Sequence, residues 1–264
     1  MAPCAVDDRV AVIVLCKDNP QELRETLTSI LAQGLQQARV YVVDGSLQSR
    51  DCKQMAQELI PAHQLIYTCP TESGIFPAMN FALTQVQEPY LLFLNSGDCF
   101  WGTDSLARLV AAIRSHSEVP VAFGRALVEH CATGIAMQWP HPGVRQIHRW
   151  LLYHEPTHQA MLFRRDWAQS HPYSLLYPLS ADREIKRAAT REYVFVPDLV
   201  VRYRLGGTSS FTGSLQVLLR KLREVRNPYH GFKEVIKYCL ERVMGAYWPY
   251  YKKVYYTLNS LQYR

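Results

Sequence analysis

The chain lacks any run of about 18 uncharged apolar residues, so no segment reads as a membrane-spanning helix. Its first apolar run, Val10 to Cys16, follows two aspartates rather than a basic region, which is not the layout of a secretion signal. The seven cysteines (4, 16, 52, 69, 99, 131 and 239) contain no C-x-x-C pair, and their odd number and scatter argue against a disulfide framework or a zinc site. A reducing cytoplasm is the expected location. His130, His141, His148 and His171 lack metal-ligand spacing. No glycine-rich phosphate loop follows the first apolar run, which argues against a sugar-phosphate nucleotidyltransferase, and no recognisable nucleic-acid module is present.

The 264 residues, 48% hydrophobic and 20% charged, suffice for an α/β domain with an appendage and a sizeable core. The net charge of +6 is unevenly spread. Leu215 to Arg264 carries ten Lys or Arg against three Glu, a net of +7, which leaves residues 1–214 at −1. The same tail holds eight of the sixteen tyrosines, with Phe232 and Trp248. The expected division is therefore a domain over 1–212 and a basic, aromatic, helical extension over 213–264. Such a tail either packs as a solvated bundle on the core or meets the inner face of the cytoplasmic membrane peripherally, since basic residues attract anionic lipid and aromatic rings suit its interface.

Along the chain, Ala11 to Leu15, Val40 to Val43 and Leu65 to Tyr67 read as strands separated by helical patterns, an order that implies right-handed βαβ crossovers and a parallel sheet. Asn19, Pro20 and Glu22 form a helix start, with Leu23, Leu27, Ile30 and Leu31 inward and Gly34 closing it. Gly74 turns into a helix with Pro77 in its first turn and Met79, Ala82, Leu83 and Val86 on one face. Tyr90 to Leu94 is an uninterrupted apolar strand that ends abruptly in Asn95, Ser96, Gly97 and Asp98, at the end of a central strand where open α/β sheets bind ligands. Thr103 is expected to cap the next helix, Val119 to Phe123 to form a strand ending at Gly124, and 125–150 to be less regular, with a loop at Trp139 to Gly143 lining an acceptor groove. Val194 to Val196 and Val200 to Tyr203 read as two further short strands. Taken singly, the polar residues have plainer readings: Asp98 and Asp44 as turn residues, His158 as a satisfied structural histidine, Asp182 as an N-cap.

The run from Glu72 to Asp98 resembles the family 2 inverting glycosyltransferases with a GT-A fold, especially bacterial polysaccharide-assembly members, whose pattern runs D-x-G-I-Y-D-A-M-N and then L-N-S-G-D. Here Glu72, Gly74, Ile75, Phe76, Pro77, Ala78, Met79 and Asn80 stand in the first part, and Leu94, Asn95, Ser96, Gly97 and Asp98 in the second. Cys16, Lys17 and Asp18 align with the family's T-Y-N, Val42 to Ser46 with V-V-D-G-S, His158 and Gln159 with H-Q-x-x-x-F-R-R, Ser180 to Asp182 with S-A-D, and Gly206 to Ser209 with a mobile G-G-x-S loop. The chain departs from the pattern at Cys16, Lys17, Gln48, Glu72 and Pro77, and Ser96 takes the place of the first acid of a D-x-D motif.

The resemblance implies a Rossmann-like, mostly parallel sheet flanked by helices. It implies that Cys16, Lys17, Asp18, Asp44, Ser46, Glu72, Gly74, Met79, Asn80, Asn95 and Ser96 contact a nucleotide-sugar, a UDP-sugar; that Asp98 binds Mn2+ or Mg2+; that His158 and Gln159 touch sugar or acceptor; and that Asp182 is the general base. The reaction implied is inverting transfer to a hydroxyl of a glycan or lipid-linked acceptor in polysaccharide or O-antigen synthesis. A sugar-nucleotide-binding or assembly protein without catalysis is the other reading. All of this requires Asp44, Asp98 and Asp182 to edge a single cleft.

Overall fold

The computed structural model describes residues 9–34, 38–47, 50–131, 133–205, 215–224, 228–260 and 263. In chain order the elements are β1 (Val10–Cys16), α1 (Pro20–Leu31), β2 (Ala38–Asp44), α2 (Arg50–Leu59), β3 (Leu65–Thr68), α3 (Ile75–Gln85), β4 (Tyr90–Asn95), β5 (Cys99–Phe100), α4 (Ser105–Arg114), β6 (Val121–His130), β7 (Ala136–Trp139) and α5 (Ile147–Leu151). A 3-10 turn (His158–Ala160) then leads into β8 (Met161–Arg164), α6 (Arg165–Ser170), α7 (Ala181–Ala189) and β9 (Tyr193–Leu205). The tail forms α8 (Leu215–Glu224), α9 (Pro228–Met244) and α10 (Trp248–Ser260). Among the described residues no helix is long and apolar enough to cross a membrane.

One curled sheet runs β3-β2-β1-β4-β8-β6-β9-β5, with β7 added to β6. The first four strands are parallel, as the βαβ order requires; β8 enters antiparallel to both β4 and β6, and β9 lies parallel to β6. Strand alternation divides β1 between two cores. Val10, Val12, Val14 and Cys16 pack under α1, α2 and α4, while Ala11, Ile13 and Leu15 pack under α3, α6 and α7. Helices on both faces explain why β1 and β4 read as continuous apolar runs.

Local signals account for several starts. The Asn19 side chain accepts the Glu22 amide at 3.1 Å, and Pro20 occupies the first turn of α1, where no intrahelical donor is needed. Elsewhere the structure corrects the reading. Asp104, not Thr103, precedes α4. Strand β6 passes through Gly124 to His130 and turns into β7, so much of 125–150 is regular. The two short strands near the end of the domain are one, β9, whose register shifts opposite Phe123 to Ala126. There the backbones approach so closely that a Cβ on residue 124 would meet Val200 Cγ2 at 2.6 Å. Trp139 is half-buried. It packs edge-on to Trp150 at 5.0 Å between ring centres, beside Tyr263 from the end of the tail. The Gly206 to Ser209 loop and Gln48 lie outside the described residues.

Candidate functional site

Strand register assembles the first part of the site. Cys16 at the end of β1 is paired with Asp44 at the end of β2, and Leu15 is paired with Asn95 at the end of β4, so three carboxyl ends form a row. Asp44 is buried. Its Oδ1 accepts the Ser46 amide at 2.9 Å and the Ser46 hydroxyl, and its Oδ2 accepts the Tyr67 hydroxyl. The Ser46 hydroxyl oxygen also accepts the Asp18 amide at 2.7 Å, which stitches the β1 loop to the β2 loop. Asp18 adopts a left-handed backbone (φ 52°), a strained state for a non-glycine residue that this hydrogen bond helps to hold. Lys17 and Asp18 are exposed at the rim, whereas burial and the Asp44 charge push the Cys16 thiol far up in pKa.

The turn after β4 is pinned from α1. The Ser96 amide donates to Leu15 O at 2.8 Å, the Gly97 amide to Thr26 Oγ1 at 2.9 Å, and the Thr26 hydroxyl in turn to Asp98 O at 2.8 Å. Gly97 has φ 93°, and a Cβ there would sit 3.4 Å from Glu22 Cδ, so a glycine fits both the backbone and the space. Asp98 is buried, and its Oδ1 accepts the Arg204 amide at 2.9 Å. Burial pushes its carboxyl up to about 7, opposed by the backbone amides of Arg204 and Asn95. A hard divalent cation fits this donor set: the anchoring atoms are carboxylate oxygen, and a nearby positive charge favours the ionised form that burial opposes. The Asn95 side-chain oxygen is buried at the same strand end, with no hydrogen-bond partner among the described residues.

A second group lies across β4. His158, fully buried, shares a 2.7 Å hydrogen bond from Nε2 with the Tyr173 hydroxyl, while its Nδ1 has no partner among the described residues. Burial lowers His158 to about 4, so the ring is neutral. Asn80 clamps the Tyr173 backbone reciprocally, donating from Nδ2 to its carbonyl and accepting its amide at Oδ1, both at 2.8 Å. Asp182 stands in the first turn of α7. Ser180, not Asp182, is the N-cap residue. Lys186, one helical turn on, approaches Asp182 Oδ2 at 2.8 Å and Glu155 at 3.5 Å. Burial pushes the Asp182 pKa up, but the Lys186 charge and hydrogen bond outweigh it and hold the carboxylate below its usual range.

Tyr203, on β9, stands next to Arg204, whose amide serves Asp98. Burial raises the Tyr203 phenol, and the charges of Asp98 and Asp182 add to that direction. The Cys16, Asp18, Asp44, Ser46, Asn95 and Ser96 set is brought to one strand edge. Met79 is packed in the core, Gln159 is buried beside His158, and Glu72 and Gly74 are exposed ahead of α3. A cavity of about 680 Å³ lies elsewhere, between α1 and the β5 and β9 strands; it is lined by Arg24, Glu25, Trp101, Arg202 and Arg204 and touches none of the three acids. Sequence reading missed Tyr67, Tyr173, Tyr203 and Lys186. Only Lys186 left a signal, its i, i+4 spacing from Asp182.

Residues 11–175 match a family model described as Glycosyl transferase family 2. Curated relatives include PGL/p-HBAD biosynthesis glycosyltransferases of Mycobacterium bovis (strain BCG / Pasteur 1173P2) and Mycobacterium tuberculosis (strain ATCC 25177 / H37Ra), each 27% identical over 180 residues that cover 67% of this chain and 66% of theirs. The chain thus spans just under two thirds of those relatives' length. Among solved structures, S. aureus TarS 1-349 superposes with a TM-score of 0.60 at 15% identity, covering 89% of this chain and 72% of that one. The same protein in complex with UDP-GlcNAc gives 0.57 at 15% identity, over 90% of this chain and 72% of that one. The mannosyltransferase PcManGT of Pyrobaculum calidifontis, in complex with GDP-Man and Mn2+, gives 0.58 at 17% identity, over 96% and 74%. At such identities the likeness is one of fold.

Proposed function

The chain belongs to glycosyl transferase family 2, and from that premise we propose that it moves a sugar from a UDP-sugar to a hydroxyl of a glycan or lipid-linked acceptor with inversion. The observation that carries this reading is the register that sets the ends of β1, β2 and β4 in one row, with the buried acids Asp44 and Asp98 at and just beyond it. The UDP and UDP-GlcNAc complexes of TarS support the choice of nucleotide.

In this reading Asp182 takes the proton of the attacking hydroxyl. Lys186 keeps that carboxylate ionised between turnovers and orients it, and the neutral His158 beneath it offers no competing proton. Asp98 would hold Mn2+ or Mg2+, and the ion would supply positive charge against the leaving diphosphate. Cys16, Lys17, Asp18, Asp44, Ser46, Asn95 and Ser96 bound the nucleotide, Lys17 supplying a cation at the rim; Glu72, Gly74, Met79 and Asn80 shape the wall through α3, Asn80 by fixing Tyr173. His158 and Gln159 support the sugar side. The tail, with Phe232, Tyr247, Tyr250 and Leu258 exposed among its basic residues, meets an anionic membrane surface peripherally. Metal-supplemented transfer and hydrolysis assays over a panel of nucleotide sugars test the reading. Turnover that disappears in Asp182→Asn is expected; no turnover of any UDP-sugar by the wild type favours a binding or assembly role instead.

A further inference from the structure

The cysteines that sequence spacing leaves unrelated come together at the end of β1. Cys16 from β1, Cys52 from the first turn of α2 and Asp44 from β2 are all buried, and their ligand atoms all lie within 4.8 Å of one another. Two features set this cluster apart from ordinary core packing. Two soft sulfur donors and one carboxylate oxygen form a donor set suited to a borderline-soft cation. In addition, Asp44 is a buried acid that no Lys, Arg or His pairs with among the described residues; the Ser46 amide, the Ser46 and Tyr67 hydroxyls and the neighbouring Cys16 thiol serve it, all of them uncharged groups. A buried carboxylate without a counter-charge is costly, and a cation supplies that charge.

We propose that Cys16, Cys52 and Asp44 form a binding site for Zn2+ or a similar thiophilic divalent cation, separate from the hard-cation position at Asp98. Binding forms two metal–sulfur bonds and one metal–oxygen bond, and the two thiol protons leave to solvent. Tetrahedral Zn2+ with bonds of about 2.0–2.3 Å needs its ligand atoms about 3.5–3.8 Å apart, so shifts of about an ångström close the site. The Ser46 hydroxyl, already on Asp44, or a water completes the shell. A bound cation compensates the two sulfur anions directly. The Asp44 carboxylate then leaves its present partners, and zinc and nucleotide compete for it. That competition rests on the function proposed above; the site itself does not.

The test uses the full chain stripped of metal and titrated with Co2+ and then Zn2+. A thiolate-to-cobalt charge-transfer absorption, its bleaching by Zn2+ and release of about two protons per ion are expected. The absorption should persist in Asp98→Ala and be lost in Cys52→Ala, with affinity at least about a hundredfold weaker, and Cys52→Ser serves where the alanine variant does not fold. Absence of the absorption in the wild type, or its survival in both Cys52 variants, overturns the site. UDP affinity, measured by calorimetry with Mn2+, should fall about tenfold once Zn2+ exceeds its own dissociation constant by that factor. A cobalt–thiolate absorption with unchanged UDP affinity overturns the competition and removes Asp44 from donor binding.

Discussion

Replacing Asp98 by asparagine tests the site through stability as well as turnover. The Asp98 carboxyl is pushed by burial from 3.8 to about 7. An acid with a raised pKa holds its proton more tightly in the folded chain, so its contribution is full below pH 3.8 and is lost as the pH rises through about 7. At about 1.4 kcal/mol per pH unit, the loss reaches about 4 kcal/mol once titration is complete. His158 acts in the opposite sense over nearly the same window. Its folded value of about 4 lies below the usual 6.5, so its contribution is present above pH 6.5 and is lost as the pH falls through about 4. The two trends largely offset one another in the wild type, and only a difference between variants exposes either. Asparagine keeps an oxygen for the Arg204 amide, now accepted by Asp98 at 2.9 Å, but has no proton to exchange. Urea unfolding in chelator should show the stability of the wild type, relative to Asp98→Asn, falling by about 3 kcal/mol between about pH 5 and pH 8. At about pH 8, Mn2+ at a hundred times its dissociation constant should restore about 2.7 kcal/mol to the wild type and little to the variant. A difference that stays constant with pH would mean that the Asp98 carboxyl is ionised throughout, and the argument from burial would fail.

Three further outcomes are expected. Asp182→Asn should lower turnover by about a hundredfold to ten-thousandfold, the usual contribution of a positioned base, while UDP affinity measured by calorimetry stays nearly the same; equal losses in both would count against a proton-transfer role. Gly124→Ala should cost about 1–3 kcal/mol in chemical denaturation, because its Cβ would overlap both Val200 methyl groups, at 2.6 and 2.7 Å, in the paired β6 and β9 strands. Sedimentation with vesicles should carry the protein down when they contain anionic lipid, at about 1 kcal/mol per engaged Lys or Arg, and not when they are neutral; equal partition to both would reject an electrostatic tail contact.

Legibility followed the range of the interactions. The helix start at Asn19 and Pro20, the apolar runs of β1 and β4, and the turn from Asn95 to Asp98 are written in neighbouring residues, and the parallel half of the sheet follows from their order. Gly124 misled because glycine ends a strand in most local contexts, whereas here a strand 70 or more residues away requires the missing side chain. The reading of 125–150 as irregular failed for the same reason: β7 exists by pairing with β6, and its own pattern is too short to announce it.

The sequence by itself determined the α/β class, the alternation of elements and the strand-end acids, because those depend on periodicity and on residues a few positions apart. Tertiary structure alone decided the company those acids keep: Asp44 with Cys16, Cys52 and Tyr67, Asp182 with His158, and Asp98 with the amide of Arg204. For Asp98 and Asp182 those surroundings also decide how readily the carboxyl ionises. Burial and a neighbour's field act through space, and chain order does not encode the distance between a carboxylate on one strand and a ring on another.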